Sequence, residues 1–394
     1  MKRTLKTSDP ATLVSDSGRQ LKPSGIREFF DIVYSMKDCV SLGVGEPDFE
    51  TPWRISDAGI NAIKEGYTHY TPNRGVPDLL KLISEYLETK YKVLYKAESE
   101  LIVTMGVSQA LDLTLRSIID PGDEVIIIEP CYVSYSANIE MLNGVPVVVP
   151  TFFSDGFRID PARLKKAITG KTKAILLNYP SNPTGLSYPA ELLKEISEIA
   201  IKNNILIISD EIYSAISYDR EFVSIATFPG MKTRTIVLNG FSKSHAMTGW
   251  RLGFAAAPAY IMDIMLKIHQ YTGLCAPSMS QYAAIEALEH GDRDVERMVA
   301  EYTRRRNFIA SSFNDMGLPC LYPEGAFYVF PDISSTKLSS RDFAMRLLET
   351  QKVAVVPGTA FGDSCKNHIR CSVATSMDNI RTAMERIRIF IGNL

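Results

Sequence analysis

A lysine follows directly on an apolar run in the segment Asn239-Gly240-Phe241-Ser242-Lys243-Ser244-His245-Ala246-Met247-Thr248-Gly249-Trp250-Arg251-Leu252-Gly253. An ammonium group at the end of a buried strand costs free energy unless it is paired or neutralised. An aldehyde cofactor neutralises it, because the amine becomes an imine, a Schiff base, and the burial then has a chemical purpose. A solitary lysine in such a place would only carry its charge out to water along its aliphatic stem. Other residues ask for anions or cations of their own. Arg370, within the apolar stretch His368-Ile369-Arg370-Cys371-Ser372, calls for an anion. The turn Gly106-Val107-Ser108 opens a helix, where backbone N–H groups, a hydroxyl and the helix dipole all favour negative charge. Asp210 closes the apolar run 205–208 and is either a helix N-cap or a working carboxylate.

The elements that must hold these groups are legible in the order of apolar runs. Residues 101–104 read as a strand, followed by a glycine turn and a helix whose apolar positions recur through Ile119. Further short β-branched runs fall at 125–128, 145–149, 174–177, 205–208, 235–238 and 252–257, each bounded by Gly, Pro, Asn or Asp. Their lack of alternation suits strands buried on both faces. Residues 189–203 form an amphipathic helix, with Leu192, Leu193, Ile196, Ile199 and Ala200 on one side. Such alternation predicts an α/β fold, a three-layer α/β/α large domain with a mostly parallel sheet. From residue 293 the style changes to a long polar helix over about 293–316, strand-like pieces at 325–330, 353–356 and 369–373, and helices near 340–350 and 377–391. This predicts a smaller α+β domain. The expected division is an N-terminal arm (1–40) packing with the small domain or a second subunit, a large domain (41–292) and a small domain (293–394).

The motif Ser-Lys-x-x-x-Met-Thr-Gly-Trp-Arg-x-Gly around Lys243 resembles the lysine segment of class I and II aminotransferases, which are fold-type I pyridoxal-phosphate enzymes. In the expected order it is joined by Tyr179-Pro180-Ser181-Asn182-Pro183-Thr184-Gly185, Ser209-Asp210-Glu211-Ile212-Tyr213, Gly325-Ala326-Phe327-Tyr328 and Arg370. The likeness runs from about Ser41 to the C-terminus and is strongest to aromatic and N-acetyl-diaminopimelate aminotransferases. It implies that Lys243 carries pyridoxal 5'-phosphate. It further implies that Asp210 pairs with the pyridine nitrogen, and that Tyr213 and Asn182 bond the cofactor's 3-oxygen. Arg251, Ser242 and the Gly106, Val107 and Ser108 turn would hold the phosphate. Tyr132 would stack on the ring, Tyr70 would reach the phosphate of a partner subunit in a homodimer, and Arg370, with Asn182 and Gly43, would receive the substrate α-carboxylate.

The reaction implied moves an amino group from an L-amino acid, whether aromatic, acidic or of diaminopimelate type, to a 2-oxo acid such as 2-oxoglutarate, by a ping-pong route. Two positions depart from the pattern. Gly240 stands where many relatives have a serine at the phosphate, and Ser108 where some aspartate-using relatives have a lysine.

Composition narrows the field. The chain has 394 residues, 45% of them hydrophobic, and 43 basic residues balance 45 acidic ones. There is no electrostatic footprint for nucleic acid or an anionic membrane. No segment approaches the roughly 18 uncharged apolar residues of a membrane span, and the protein is expected to be cytoplasmic. Six cysteines without a C-x-x-C pair and five scattered histidines predict neither a disulfide scaffold nor a metal site. Two alternatives use the same cofactor: a carbon–sulfur β-lyase, and a non-enzymatic regulator that binds pyridoxal phosphate. The regulator would need a DNA-binding module that some 40 residues before the first motif are too few to supply. A dinucleotide oxidoreductase is disfavoured because Gly43-Val44-Gly45 lacks the remainder of the G-x-G-x-x-G fingerprint.

Overall fold

Strands whose two faces are both apolar need cover on both sides, and the fold supplies it. The computed structural model describes residues 13–15, 18, 19, 21 and 38–394. Its main sheet comprises β2 (Leu101–Thr104), β3 (Glu124–Glu129), β4 (Val145–Pro150), β5 (Thr172–Asn178), β6 (Leu206–Asp210), β7 (Thr235–Gly240) and β8 (Gly253–Ala256), after a short β1 (Val40–Ser41) that lies elsewhere. The spatial order is β2-β8-β7-β6-β5-β3-β4. Pairs β4/β3, β3/β5, β5/β6 and β6/β7 are parallel. β8 runs antiparallel to both β7 and β2, because the stretch joining β7 to β8 holds no crossover helix and the chain simply turns back.

Alternate residues of one strand feed opposite layers. Val125 and Ile127 of β3 join a core with Leu111 and Met265, from the helices Gly106–Ile118 and Ala259–Thr272. Ile126 and Ile128 join another with Ile196 and Ile199 of the helix Ala190–Lys202. Each such side chain contributes about 1.5–3 kcal/mol of hydrophobic stabilisation on burial. The run at 145–149 does not match the expectation of two-sided burial. β4 is the edge strand, with β3 as its one partner among the described residues, and Val145 and Val148 are exposed.

The C-terminal region has its own core, in which Phe313, Phe343, Leu347, Ile380 and Ile387 from three helices (Asp292–Asp315, Ser340–Gln351 and Met377–Gly392) come together. Beside it lie β9 (Tyr328–Val329), β10 (Val353–Ala354), β11 (Val356–Pro357) and β12 (Ile369–Ser372), with sheet order β11-β12-β9, antiparallel throughout. β1 pairs in parallel with β10, so the chain at residue 40 is tied to this region although it is far away in sequence. The expected packing of residues 1–40 otherwise falls almost wholly outside the described residues. Among the described residues, no helix is long and apolar enough to cross a membrane.

Candidate active site

The parallel strands end on one side of the sheet, and the candidate residues sit on those ends or just after them. Asp210 is the last residue of β6, Asn178 the last of β5, and Lys243 follows β7 by three residues. They face a cavity of about 680 Å³, whose wall also includes Asn182, Tyr213, Ser242, Arg251 and Arg370.

Lys243 is half-buried, and its Nζ donates to the Gly45 carbonyl at 2.8 Å. Burial lowers its pKa to about 8, with Glu46 opposing that shift and Arg370 and Arg251 reinforcing it. Asp210 is 6% exposed. Its Oδ2 accepts from the Tyr135 hydroxyl at 2.7 Å and its Oδ1 from the Ile212 N–H at 3.2 Å. Burial raises its pKa to about 6, against the pull of those two donors. Asn178 ties this strand end to the next loop: its Nδ2 donates to the Asp210 carbonyl at 3.0 Å, and its Oδ1 accepts from the Asn182 N–H at 2.9 Å.

Arg370 is 2% exposed, and among the described residues it has no carboxylate within ion-pair distance. Its Nη1 donates to Asn182 Oδ1 at 3.0 Å and its Nη2 to the Gly43 carbonyl at 2.5 Å, while Nε has no partner. The Tyr328 and Phe361 rings lie 4.5 and 4.9 Å from its Cζ. Burial depresses its pKa. A buried guanidinium held by neutral groups costs several kcal/mol in desolvation, and a carboxylate ligand offsets that cost. Tyr328 also shares a 2.9 Å hydroxyl–hydroxyl bond with Tyr213, so Arg370, Tyr328 and Tyr213 form one connected set.

At the other side of the cavity, Arg251 donates from Nη1 to the Thr248 carbonyl at 3.0 Å. Val107 and Ser108 line the wall at the start of the helix Gly106–Ile118. Gly106 has φ +76°, and a Cβ there would lie 2.9 Å from Arg251 Nη2. Helix N-terminus, guanidinium and the hydroxyls of Ser108 and Ser242 thus converge as a donor set for a phosphate. With a buried carboxylate for a ring nitrogen and an amine of lowered pKa for an aldehyde, the residues fit pyridoxal phosphate.

Not every expected residue lies on this wall. Tyr132 does, 37% exposed and edge-on to Tyr135 with ring centroids 5.8 Å apart. Tyr70 is 83% exposed and is not part of the wall. Gly43 is buried behind it and contributes its carbonyl to Arg370, whereas Gly45 is at the surface of the cavity, where a Cβ would lie 2.8 Å from Tyr328 Oη. Gly240 has a steric reason: a Cβ would approach the Cα of Gly253 on the neighbouring strand to 2.7 Å, so a serine does not fit. Tyr135, Tyr328, Glu46 and Thr248 also face the cavity, and sequence reasoning assigns none of them a role. Tyr135 had one usable signal, its position three residues after Tyr132 at the start of a helix.

Residues 37–387 match the family model described as aminotransferase class I and II. A Bacillus subtilis (strain 168) protein named "Putative aminotransferase YugH" is 52% identical, over 96% of this chain and 98% of its own length. Another from the same organism, named "Probable N-acetyl-LL-diaminopimelate aminotransferase", is 43% identical, over 96% of each chain. The crystal structure of an aromatic aminotransferase from Pyrococcus horikoshii OT3 superposes with a TM-score of 0.89 at 41% identity, covering 93% of this chain and 99% of that one.

Proposed function

The chain belongs to the class I and II aminotransferases, and on that premise we propose that Lys243, Asp210, Asn182, Tyr213, Arg251 and Arg370 are the residues that carry its reaction. The enzyme is a pyridoxal-phosphate-dependent transaminase that moves an amino group between an amino acid and a 2-oxo acid. The observation that carries the residue assignment is that Arg370, a buried guanidinium without a carboxylate partner among the described residues, opens on the same cavity as the amine of Lys243.

When bound, the cofactor supplies an aldehyde that holds an amino group and a ring that withdraws electrons from the substrate's α-carbon. Lys243 Nζ would hold the cofactor's aldehyde carbon and, as a free amine, would take the substrate's α-proton; its lowered pKa suits that work near neutral pH. Asp210 would pair with the cofactor's ring nitrogen through its charge, and Tyr135 orients the carboxylate. Asn182 presents Oδ1 to Arg370, which leaves its Nδ2 to donate to the cofactor's 3-oxygen beside Tyr213. Arg251, Ser242, Ser108 and the N–H groups after Gly106 hold the phosphate, and Tyr132 covers the ring. Arg370 binds the substrate α-carboxylate and so sets the α-carbon against Lys243.

The active unit is a homodimer in which Tyr70, exposed in one subunit, reaches the other's phosphate. The proposed division is an arm (1–40), a large domain (41–292) and a small domain (293–394), and the pairing of β1 with β10 supports contact between the end of the arm and the small domain. Amino donors are aromatic, acidic or of diaminopimelate type, with 2-oxoglutarate as acceptor. Ser108 offers a hydroxyl and no cation for a distal carboxylate, which supports the uncharged donors over the acidic ones. A screen of L-amino acids with 2-oxoglutarate tests the reading. Glutamate forms from one donor class and Arg370→Met abolishes it; pyruvate and ammonia from sulfur-containing donors without glutamate would overturn it.

A further inference from the structure

Glu129, at the end of β3, is a buried carboxylate, 8% exposed, with no ion pair among the described residues. Its Oε1 accepts two hydrogen bonds, both from Ser364: the backbone N–H at 2.9 Å and the side-chain hydroxyl at 3.0 Å. Ser364 belongs to the loop 358–365 between β11 and β12, in the C-terminal region, whereas β3 is in the main sheet. A second bond joins the same two segments, from the Cys131 N–H to the Phe361 carbonyl at 3.1 Å. Between these contacts lies Gly362, with φ +145°, where a Cβ would fall 1.8 Å from Glu129 Oε1. The loop therefore passes over the carboxylate at a distance that only glycine permits. Its apolar tip, Phe361, is 2% exposed and has its ring 4.9 Å from the Arg370 guanidinium carbon.

We infer that Glu129 is a positioning residue for the substrate-carboxylate grip: by clamping the loop 358–365 to the end of β3, it fixes Phe361 against Arg370 and so sets the direction of the guanidinium. A buried carboxyl group is costly unless its oxygens find donors. Two donors from one residue recover that cost and give the loop a single position. Glu129 touches neither the phosphate cup nor Asp210, so it acts on substrate affinity and not on cofactor affinity. This inference rests on the assignment of Arg370 to the α-carboxylate.

The test is calorimetric titration of the holoenzyme with 3-phenylpropanoate and with succinate, two carboxylates that cannot react. Loss of two hydrogen bonds to a charged group makes Glu129→Ala weaken their binding about tenfold, with Glu129→Gln within about threefold of the wild type. The cofactor's absorbance and its dissociation constant stay unchanged in both. Ser364→Ala, which keeps the backbone donor, gives a smaller loss in the same direction and serves should Glu129→Ala not fold. Unchanged carboxylate binding in Glu129→Ala or, failing that variant, in Ser364→Ala would overturn the inference, as would an equal loss of cofactor binding. Arg370→Met separates the two layers: if it too leaves carboxylate binding intact, or if the wild type binds neither probe, the reading of Arg370 itself fails.

Discussion

The Tyr135 hydroxyl donates to Asp210 Oδ2 at 2.7 Å, and so gives the most buried carboxylate of the cavity wall a dedicated donor. Burial raises the pKa of Asp210 to about 6, and this bond is the largest force holding it down. A hydrogen bond to a charged group is worth about 1.5–3 kcal/mol, enough to decide whether the group is ionised near neutrality.

Tyr135→Phe therefore moves the pKa of Asp210 further up. In a pH profile of kcat/KM, the acidic limb of the variant shifts to higher pH, and kcat/KM at pH 7 falls about tenfold or more. An unshifted limb would show that Tyr135 only fills space.

Glu211 is the neighbouring buried carboxyl, 1% exposed, its Oε1 accepting from Ser209 Oγ at 2.9 Å and Ser224 Oγ at 2.7 Å. Burial raises its pKa from 4.5 to about 7. The folded state then binds the proton more tightly than the unfolded chain, so stability is lost as pH rises from the unfolded value to about 7 and is level above it. Glu211→Gln keeps the acceptor oxygen without the charge. Its Tm exceeds the wild type's at pH 8, and the gain shrinks on acidification toward pH 4.5. Thermal denaturation of the apoenzyme across that range measures it.

Gly106→Ala places a Cβ 2.9 Å from Arg251 Nη2 at a φ of +76°. The left-handed backbone alone costs roughly 1–2 kcal/mol for a residue with a side chain. Displacement of Arg251 adds to it. Cofactor affinity, measured by equilibrium dialysis, falls about tenfold, and added cofactor restores most of the activity.

Arg370→Lys removes the fork that reaches Asn182 Oδ1 and the Gly43 carbonyl. Breaking a buried, hydrogen-bonded charge contact costs about 2–5 kcal/mol. KM for the amino donor rises at least thirtyfold on that scale, and the cofactor's absorbance spectrum is retained. A matching loss of the spectrum would mean that Arg370 supports the fold and not the substrate.

The strands and the residues at their ends were legible because they are local: an apolar run, then Asp210, Asn182 or Lys243, is a pattern within a few residues. Family motifs then placed Arg251, Tyr213 and Arg370, which the structure brings to the same cavity. What stayed hidden depends on contacts distant in sequence. Glu46 reaches the wall because its carboxylate accepts from Thr248 Oγ1, on the far side of the large sheet in chain order. Tyr135 looks like an ordinary core aromatic until β6 places Asp210 at its hydroxyl. The exposure of β4 was invisible for a similar reason, since an apolar run does not reveal whether a strand has one partner or two. Tyr70 is exposed and away from the cavity wall, so its proposed role rests on a second subunit that one chain does not show.

Burial lowers the pKa of Lys243 to about 8, which makes its neutral amine available well below the usual range for lysine. The direct measurement is to load the apoenzyme with pyridoxal phosphate, reduce it with borohydride, and map the modified peptide by mass spectrometry. The expected result is modification on Lys243 alone, a loading rate that rises with pH and levels off above about 8, and neither visible band nor amino transfer in Lys243→Ala. Modification of a different lysine, or a Lys243→Ala variant that keeps both band and transfer, would contradict it.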